Sequence, residues 1–471
     1  MAFNDLSFLF IFFPVVLVLH KVIPTITGKN IVLLVCSLVF FAWGTPEYVF
    51  LMILVILFNY FSGLQMQQQK EEEDESGAKR TLVTSVVVNL LLLGFFKYWG
   101  FVIENINGLL RTSIPVRNLS MPIGVSFFTF SILSYLFDVY RDKAPAAKNI
   151  LEFSLFVTFF PKLVSGPIVQ YKDMAAQLQE RKLTGVKFGR GCRTFLIGLA
   201  KKVLLSNTIG TTFYAVTALA PDAISVTTAW LGAVTYALML YFDFSGYSDM
   251  AIGLATMFGF DFEKNFDYPY MSTSVSEFWR RWHISLGAWF RDYIYIPLGG
   301  SRVPTGMIIR NLLVVWLLTG IWHGASWNYI FWGLYYGGIL ILEKFVLKNV
   351  LEYIPGFIKQ IFTLILVLIG WVFFFSPTLG SAFMWLGRMF GIGAAGFVDA
   401  TAKYYLSGSW IIVLLGAIGS FPFASKQGNN LLRGKGKLMV YLSVVWFAVL
   451  LVLCIAGMMS STYSSFLYFQ F

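Results

Sequence analysis

Apolar residues come in long runs of about 17 to 25, the length of helix that crosses a hydrocarbon core of roughly 30 Å. Ile31–Trp43 and Ile361–Phe375 are almost continuously apolar, and short polar breaks separate such runs along the chain. In lipid every backbone N–H and C=O must be satisfied internally, so these runs specify helices. A transmembrane barrel would instead show alternating segments of roughly ten residues. Composition agrees: 57% of the 471 residues are hydrophobic and 13% are charged, against about 25% charged in a soluble domain. A soluble protein is excluded, and the expected fold class is all-α, a polytopic membrane protein.

The first runs are Leu6–Val22, Ile31–Gly44 and Tyr48–Leu64, followed by a polar loop, Gln65–Arg80. Lys21 and Lys29 follow the first run and Lys70, Lys79 and Arg80 the third, whereas the break Thr45-Pro46-Glu47 carries no Lys or Arg. The positive-inside rule then predicts an external N-terminus and a cytoplasmic Gln65–Arg80 loop, with the acidic run Glu71–Glu75 a solvated stretch of it. No basic residue precedes the first apolar run, which reads as a span rather than a cleaved signal peptide. Further basic clusters at Arg141–Lys148, Lys172–Lys202, Arg280–Arg310 and Lys426–Lys437 continue the pattern, and the last run, Leu438–Met458, returns the C-terminus outside. Two external termini need an even number of crossings, and about ten to twelve are expected, with some segments re-entrant or interfacial. Neither a repeat nor a long linker divides the chain, so residues 1–471 read as a single membrane-embedded domain.

The net charge of +11 has its source in cytoplasmic loops and implies no nucleic acid. Cys36, Cys192 and Cys454 are odd in number and far apart, which predicts no disulfide framework. With no Cys pair and no HExxH, no metal site is expected; P-loop, dinucleotide and nucleophile-elbow motifs are also absent. His20, at the end of the first run, reads as an interfacial residue.

Ionisable groups inside apolar segments mark function or buried pairing, and three places carry them. Asp243 and Asp249 lie in YFDFSGYSDMAIG (Tyr241–Gly253); six residues turn a helix by about 240°, so they share no face. The expectation there is a helix break in which Ser245, Gly246 and Asp249 cap ends, not an acid/base pair. The second place, Ser274–Arg302, interleaves aromatics with arginines and reads as an interfacial helix and a buried connection, with Trp279, Trp282, Trp289, Tyr293 and Tyr295 at the headgroup level. Glu277 stands three and four residues before Arg280 and Arg281, so those arginines are either membrane anchors paired locally or forks for phosphate oxygens. In the third place His323 follows Arg310 by thirteen residues, about 20 Å of helix, which puts it deep in the membrane. It is either a neutral structural histidine or a proton-transfer group. His283 lies nearer the basic cluster, as an orienting or donor-binding group.

MPIGVSFFTFSILSYLFDVYR (Met121–Arg141), FFPKLVSGPIVQY (Phe159–Tyr171), Tyr241–Gly253, NFDYPYMSTSVSEFWRRWHISLGAWFRDYIYIPLGGSR (Asn265–Arg302) and TGIWHGASWNYIFWGLYYG (Thr319–Gly337) together resemble the membrane-bound O-acyltransferase family. The likeness is to its bacterial, alginate-type branch, with the core motifs over 121–337. The resemblance implies catalytic histidines at His323 and His283 and a bacterial cytoplasmic (inner) membrane location. It also implies a donor reached from the cytoplasm and a hydroxyl acceptor outside. Acetyl-CoA is then the acyl donor, with no tightly bound cofactor. The acceptor is an alginate-like or other cell-surface polysaccharide, or an extracytoplasmic partner that relays the group. A hydroxyl is a poor nucleophile at neutral pH, so it needs a base such as His323, and Arg280 and Arg281 would meet the CoA phosphates. The competing readings are D-alanyl transfer to teichoic acid, a transporter or flippase with the same polar groups on its path, and a scaffold for a soluble acetyltransferase.

Overall fold

The computed structural model describes residues 1–116, 120–423 and 437–460. The cluster Lys426–Lys437, apart from the helix start at Lys437, and the C-terminal end lie outside them. Helices are the only regular elements among the described residues, and the chain divides into two compact units. The first comprises Met1–Phe195 with Ser248–Glu263, the second Leu196–Tyr247 with Lys264–Phe471.

In the first unit a π-turn, Phe8–Phe12, leads into α1 (Phe13–Val22). The Thr25 side chain then caps α2 (Ile26–Gly44) by accepting the Gly28 N–H at 3.2 Å. Pro46 opens a 3₁₀ turn into α3 (Val49–Glu71), and α4 (Glu75–Leu110) follows. The expected Gln65–Arg80 loop is therefore mostly helix, closed by a tight turn at Glu72–Asp74 in which Asp74 accepts the Gly77 N–H at 2.8 Å. Gln, Lys and Glu are good helix formers, so α3 outlasts its apolar stretch. Hydropathy marks where the membrane face ends and not where the helix does. Two further helices of this unit are α5 (Val125–Tyr140) and the first part of α6 (Gly185–Ala200).

The helix α7 (Val226–Met257) runs unbroken through Ser245, Gly246 and Asp249, which overturns the expected break. A Cβ on Gly246 would stand 2.8 Å from the Gly198 carbonyl oxygen, so this glycine serves close backbone approach rather than a turn. Within this helix the Asp243 side chain, 1% exposed, pairs at 2.5 Å with that of Lys202, 3% exposed.

The second unit continues with α8 (Val275–Arg281), α9 (Ile284–Phe290), α10 (Thr305–His323), α11 (Trp327–Phe345), α12 (Gly356–Phe375), α13 (Ala400–Gly419) and α14 (Lys437–Ser460). Ser274–Arg302 folds as two seven-residue helices and a π-turn, Arg291–Tyr295, with Trp282, Trp289 and Tyr293 buried and Trp279 and Tyr295 partly exposed. Aromatic density there builds part of the core of the second unit. By length and composition seven described helices can cross a membrane, and Phe8–Val22 and Val125–Tyr140 add two shorter apolar ones, against the ten to twelve crossings expected. The protein is a multi-pass, all-α membrane protein.

Candidate functional site

His323 is the last residue of α10, and its position follows from how α10 packs on α11. A Cβ on Gly320 would lie 2.3 Å from the Tyr329 carbonyl oxygen, and one on Gly333 2.3 Å from that of Trp316. Small residues thus let the two backbones touch, the usual basis of helix pairing in membranes. Ser326 caps α11, and the Asn328 amide donates to the Ser376 carbonyl just past α12. The hairpin and α12 then surround the His323 ring, 4% exposed, with Trp332 at 4.9 Å, Trp322 at 5.0 Å and Phe374 at 5.2 Å between ring centroids.

His283 joins α8 to α9 in the left-handed region, at φ 45° and ψ 55°, a conformation costly for a non-glycine residue. Asn265 holds it there. The Ile284 N–H donates to the Asn265 carbonyl at 2.9 Å, while the Asn265 side-chain Oδ1 accepts from the Ser285 N–H at 3.1 Å and the Ser285 hydroxyl at 2.9 Å. A backbone N–H can only donate, so the amide atom facing it is the oxygen. His283 Nδ1, 3.2 Å from the same Oδ1, is therefore the protonated nitrogen, and Nε2 carries the lone pair. His283 lies outside the spanning helices, yet burial pushes its imidazole down to about 3, so the ring is neutral at physiological pH. Phe244 meets it edge-on at 4.7 Å, and its centroid is 6.2 Å from that of Trp322. Two histidines from separate motifs thus share one indole.

The neighbouring arginines part company. Arg281 is bound to Glu277 at 2.8 and 3.0 Å and to the Asp267 carbonyl at 3.0 Å. Partial burial would raise the Glu277 carboxyl, but the Thr273 N–H and Arg281 outweigh it and hold the group below its ordinary range. Arg280 instead lines a cavity of about 830 Å³ with Arg291, Lys344, Lys348 and Lys359, five cations against Glu343 and Glu352. Glu343 is already engaged: it accepts the N–H groups of Val275 and Ser276 at 2.6 and 2.9 Å and so caps α8 from α11. The cavity wall includes Trp279, whose ring is 5.5 Å from Trp332, the neighbour of His323. A polyanion fits such a recess by charge.

Asn265 and Glu343 have no assigned role in the sequence reading. Asn265 opens the Asn265–Arg302 motif, but its partner His283 is eighteen residues away, beyond any helical periodicity. Glu343 looks like a helix-end charge until the fold brings the start of α8 to it. Among the described residues no three His, Cys, Asp or Glu side chains are grouped to hold a metal ion.

A profile of the membrane-bound O-acyltransferase family matches residues 35–391. The chain is 41% identical over 405 residues to the probable alginate O-acetylase of Pseudomonas aeruginosa, covering 83% of this chain and 75% of that one. It is 37% identical to the probable alginate O-acetylase of Pseudomonas putida over the full length of both. The peptidoglycan O-acetyltransferase of Helicobacter pylori is 32% identical, over 83% of this chain and 80% of that one.

Proposed function

The chain belongs to the membrane-bound O-acyltransferase family, and we propose that it moves an acetyl group from cytoplasmic acetyl-CoA to a hydroxyl of an extracytoplasmic polysaccharide, directly or through an extracytoplasmic relay protein. The meeting of His283 and His323 on Trp322, with a cationic cavity reaching Trp279, carries this reading. The relatives' names support acetyl as the group moved and a cell-surface glycan, alginate-like or otherwise, as the acceptor. The basic cavity, on the positive-inside rule, faces the cytoplasm of a bacterial inner membrane, with both chain termini on the opposite side.

His323 accepts the proton of the acceptor hydroxyl as its oxygen attacks the thioester carbonyl. The C–O bond forms and the C–S bond breaks. CoA leaves as the thiol once the proton passes from the imidazolium to sulfur. His283, neutral and with its lone pair on Nε2, is a second acceptor beside the same indole. Arg280 and the cavity lysines hold the donor phosphates as bidentate and point-charge contacts respectively. Arg281 serves the same site from behind, by fixing α8 through Glu277.

The test is transfer from labelled acetyl-CoA to deacetylated polymannuronate by the purified, reconstituted protein. His323→Ala is expected to lower the rate by about 10² to 10⁴ with unchanged accumulation. Near-normal transfer at wild-type protein level would return His323 to a packing role.

A further inference from the structure

We propose that the first unit carries a binding slot for one anionic phospholipid, between the C-terminal end of α1 and the N-terminus of α6. A cavity of about 530 Å³ lies there, and Lys21, Lys29 and Lys187 line it with no carboxylate in its wall. His20, expected at the interface, is 5% exposed on that wall, and its buried Nε2 has no hydrogen-bond partner. Leaving such a group without a partner is costly, which points to an occupant that supplies one.

The cations are held in place for a ligand. Lys29 Nζ donates to the Ile23 carbonyl at 2.6 Å, and Lys187 Nζ to the Gly259 carbonyl and to Asp261, each at 2.6 Å. Asp261, outside the slot's wall, is already shared by Lys187 and Arg190. Thr184 and Gly185, at the start of the sixteen-residue α6, complete the polar end. Helix N-termini favour phosphate oxygens, and here the dipole adds to three ammonium groups.

The rest of the wall decides between a lipid and a free phosphate. Leu17, Val18, Leu183 and Phe188 continue the slot, and Val18 is 61% exposed and Leu183 and Phe188 41% each. In a membrane protein such side chains face acyl chains, so an occupant with a phosphate head and hydrocarbon tails covers both ends of the slot. Basic recesses beside spanning helices hold anionic headgroups for this reason.

The experiment is native mass spectrometry of the purified full chain in neutral detergent, with dioleoyl phosphatidylglycerol or dioleoyl phosphatidylcholine at equal concentration. Phosphatidylglycerol adducts should exceed phosphatidylcholine adducts in the wild type. Lys21→Glu should lower them by about fivefold or more, the effect of losing a surface cation and gaining a repulsive charge. Lys79→Glu, at an exposed lysine outside the slot, should leave them unchanged. His20→Phe, which keeps a ring but removes the nitrogen, should lower phosphatidylglycerol binding alone, with the melting temperature reporting folding. Equal binding of the two lipids, or equal loss in both lysine variants, would overturn the proposal. So would full displacement of phosphatidylglycerol by millimolar glycerol phosphate, which would make this a site for a soluble phosphate.

Discussion

Asn265→Asp tests whether the proton on His283 is set by its amide partner. In the wild type the imidazole is neutral, because burial holds its pKa at about 3. The substitution keeps an acceptor oxygen 3.2 Å from Nδ1 but gives it a full negative charge. At an effective dielectric of about 20, unit charges at that separation attract by about 5 kcal/mol, or roughly three to four pH units. The His283 pKa should therefore rise to between about 6 and 7. A raised imidazole pKa populates the protonated ring on the acid side, and a protonated ring accepts no proton. Initial rates of acetyl transfer, measured from pH 5.5 to 8.5 at saturating donor and acceptor, should be flat through this histidine in the wild type. In the variant they should fall as pH drops through that window. Asn265→Ala removes the acceptor, strands the Ser285 N–H and frees the tautomer, and should cost about ten- to a hundredfold at all pH values without a new inflection. A variant profile that superimposes on the wild type after scaling would refute the coupling, because a purely structural defect lowers the rate without moving its pH dependence.

Arg280→Gln should raise the KM for acetyl-CoA by about tenfold with kcat nearly unchanged, since a phosphate contact is present in both ground and transition states, and Arg280→Lys should restore it only in part. Arg281→Gln should act otherwise, lowering accumulation by leaving Glu277 and the Asp267 carbonyl without their partner; a donor titration normalised to inserted protein separates the two. Lys202→Met takes the paired cation from the buried Asp243 carboxylate and should destabilise the second unit by about 3–5 kcal/mol, seen as a lower melting temperature in detergent, whereas adding Asp243→Leu should recover most of the loss. A cysteine at Ser76, in the first turn of α4, should react with an impermeant thiol reagent only in opened cells; labelling of intact cells would reverse the orientation and the side assigned to the donor.

The apolar runs determined on their own that this chain is built of membrane helices, because a span must satisfy its backbone internally and a continuous apolar run does so as a helix, whereas a closed barrel needs alternating segments of about ten residues. The order of the motifs likewise determined the family, and with it the two histidines worth attention. Tertiary structure decided what those residues face. Ser245 and Gly246 have the composition of a helix break, and α7 nonetheless continues, since a side chain missing there admits the backbone at Gly198. Arg280 and Arg281 are neighbours with identical chemistry, yet one turns to Glu277 and the other to a cavity, a difference of one helical step that only the packing of α8 resolves. The contact of His283 and His323 with one indole, and the tautomer that Asn265 imposes, depend on partners far apart along the chain. Periodicity records which face of a helix is apolar. It carries no information about which distant polar atom that face meets, and that choice belongs to the folded chain.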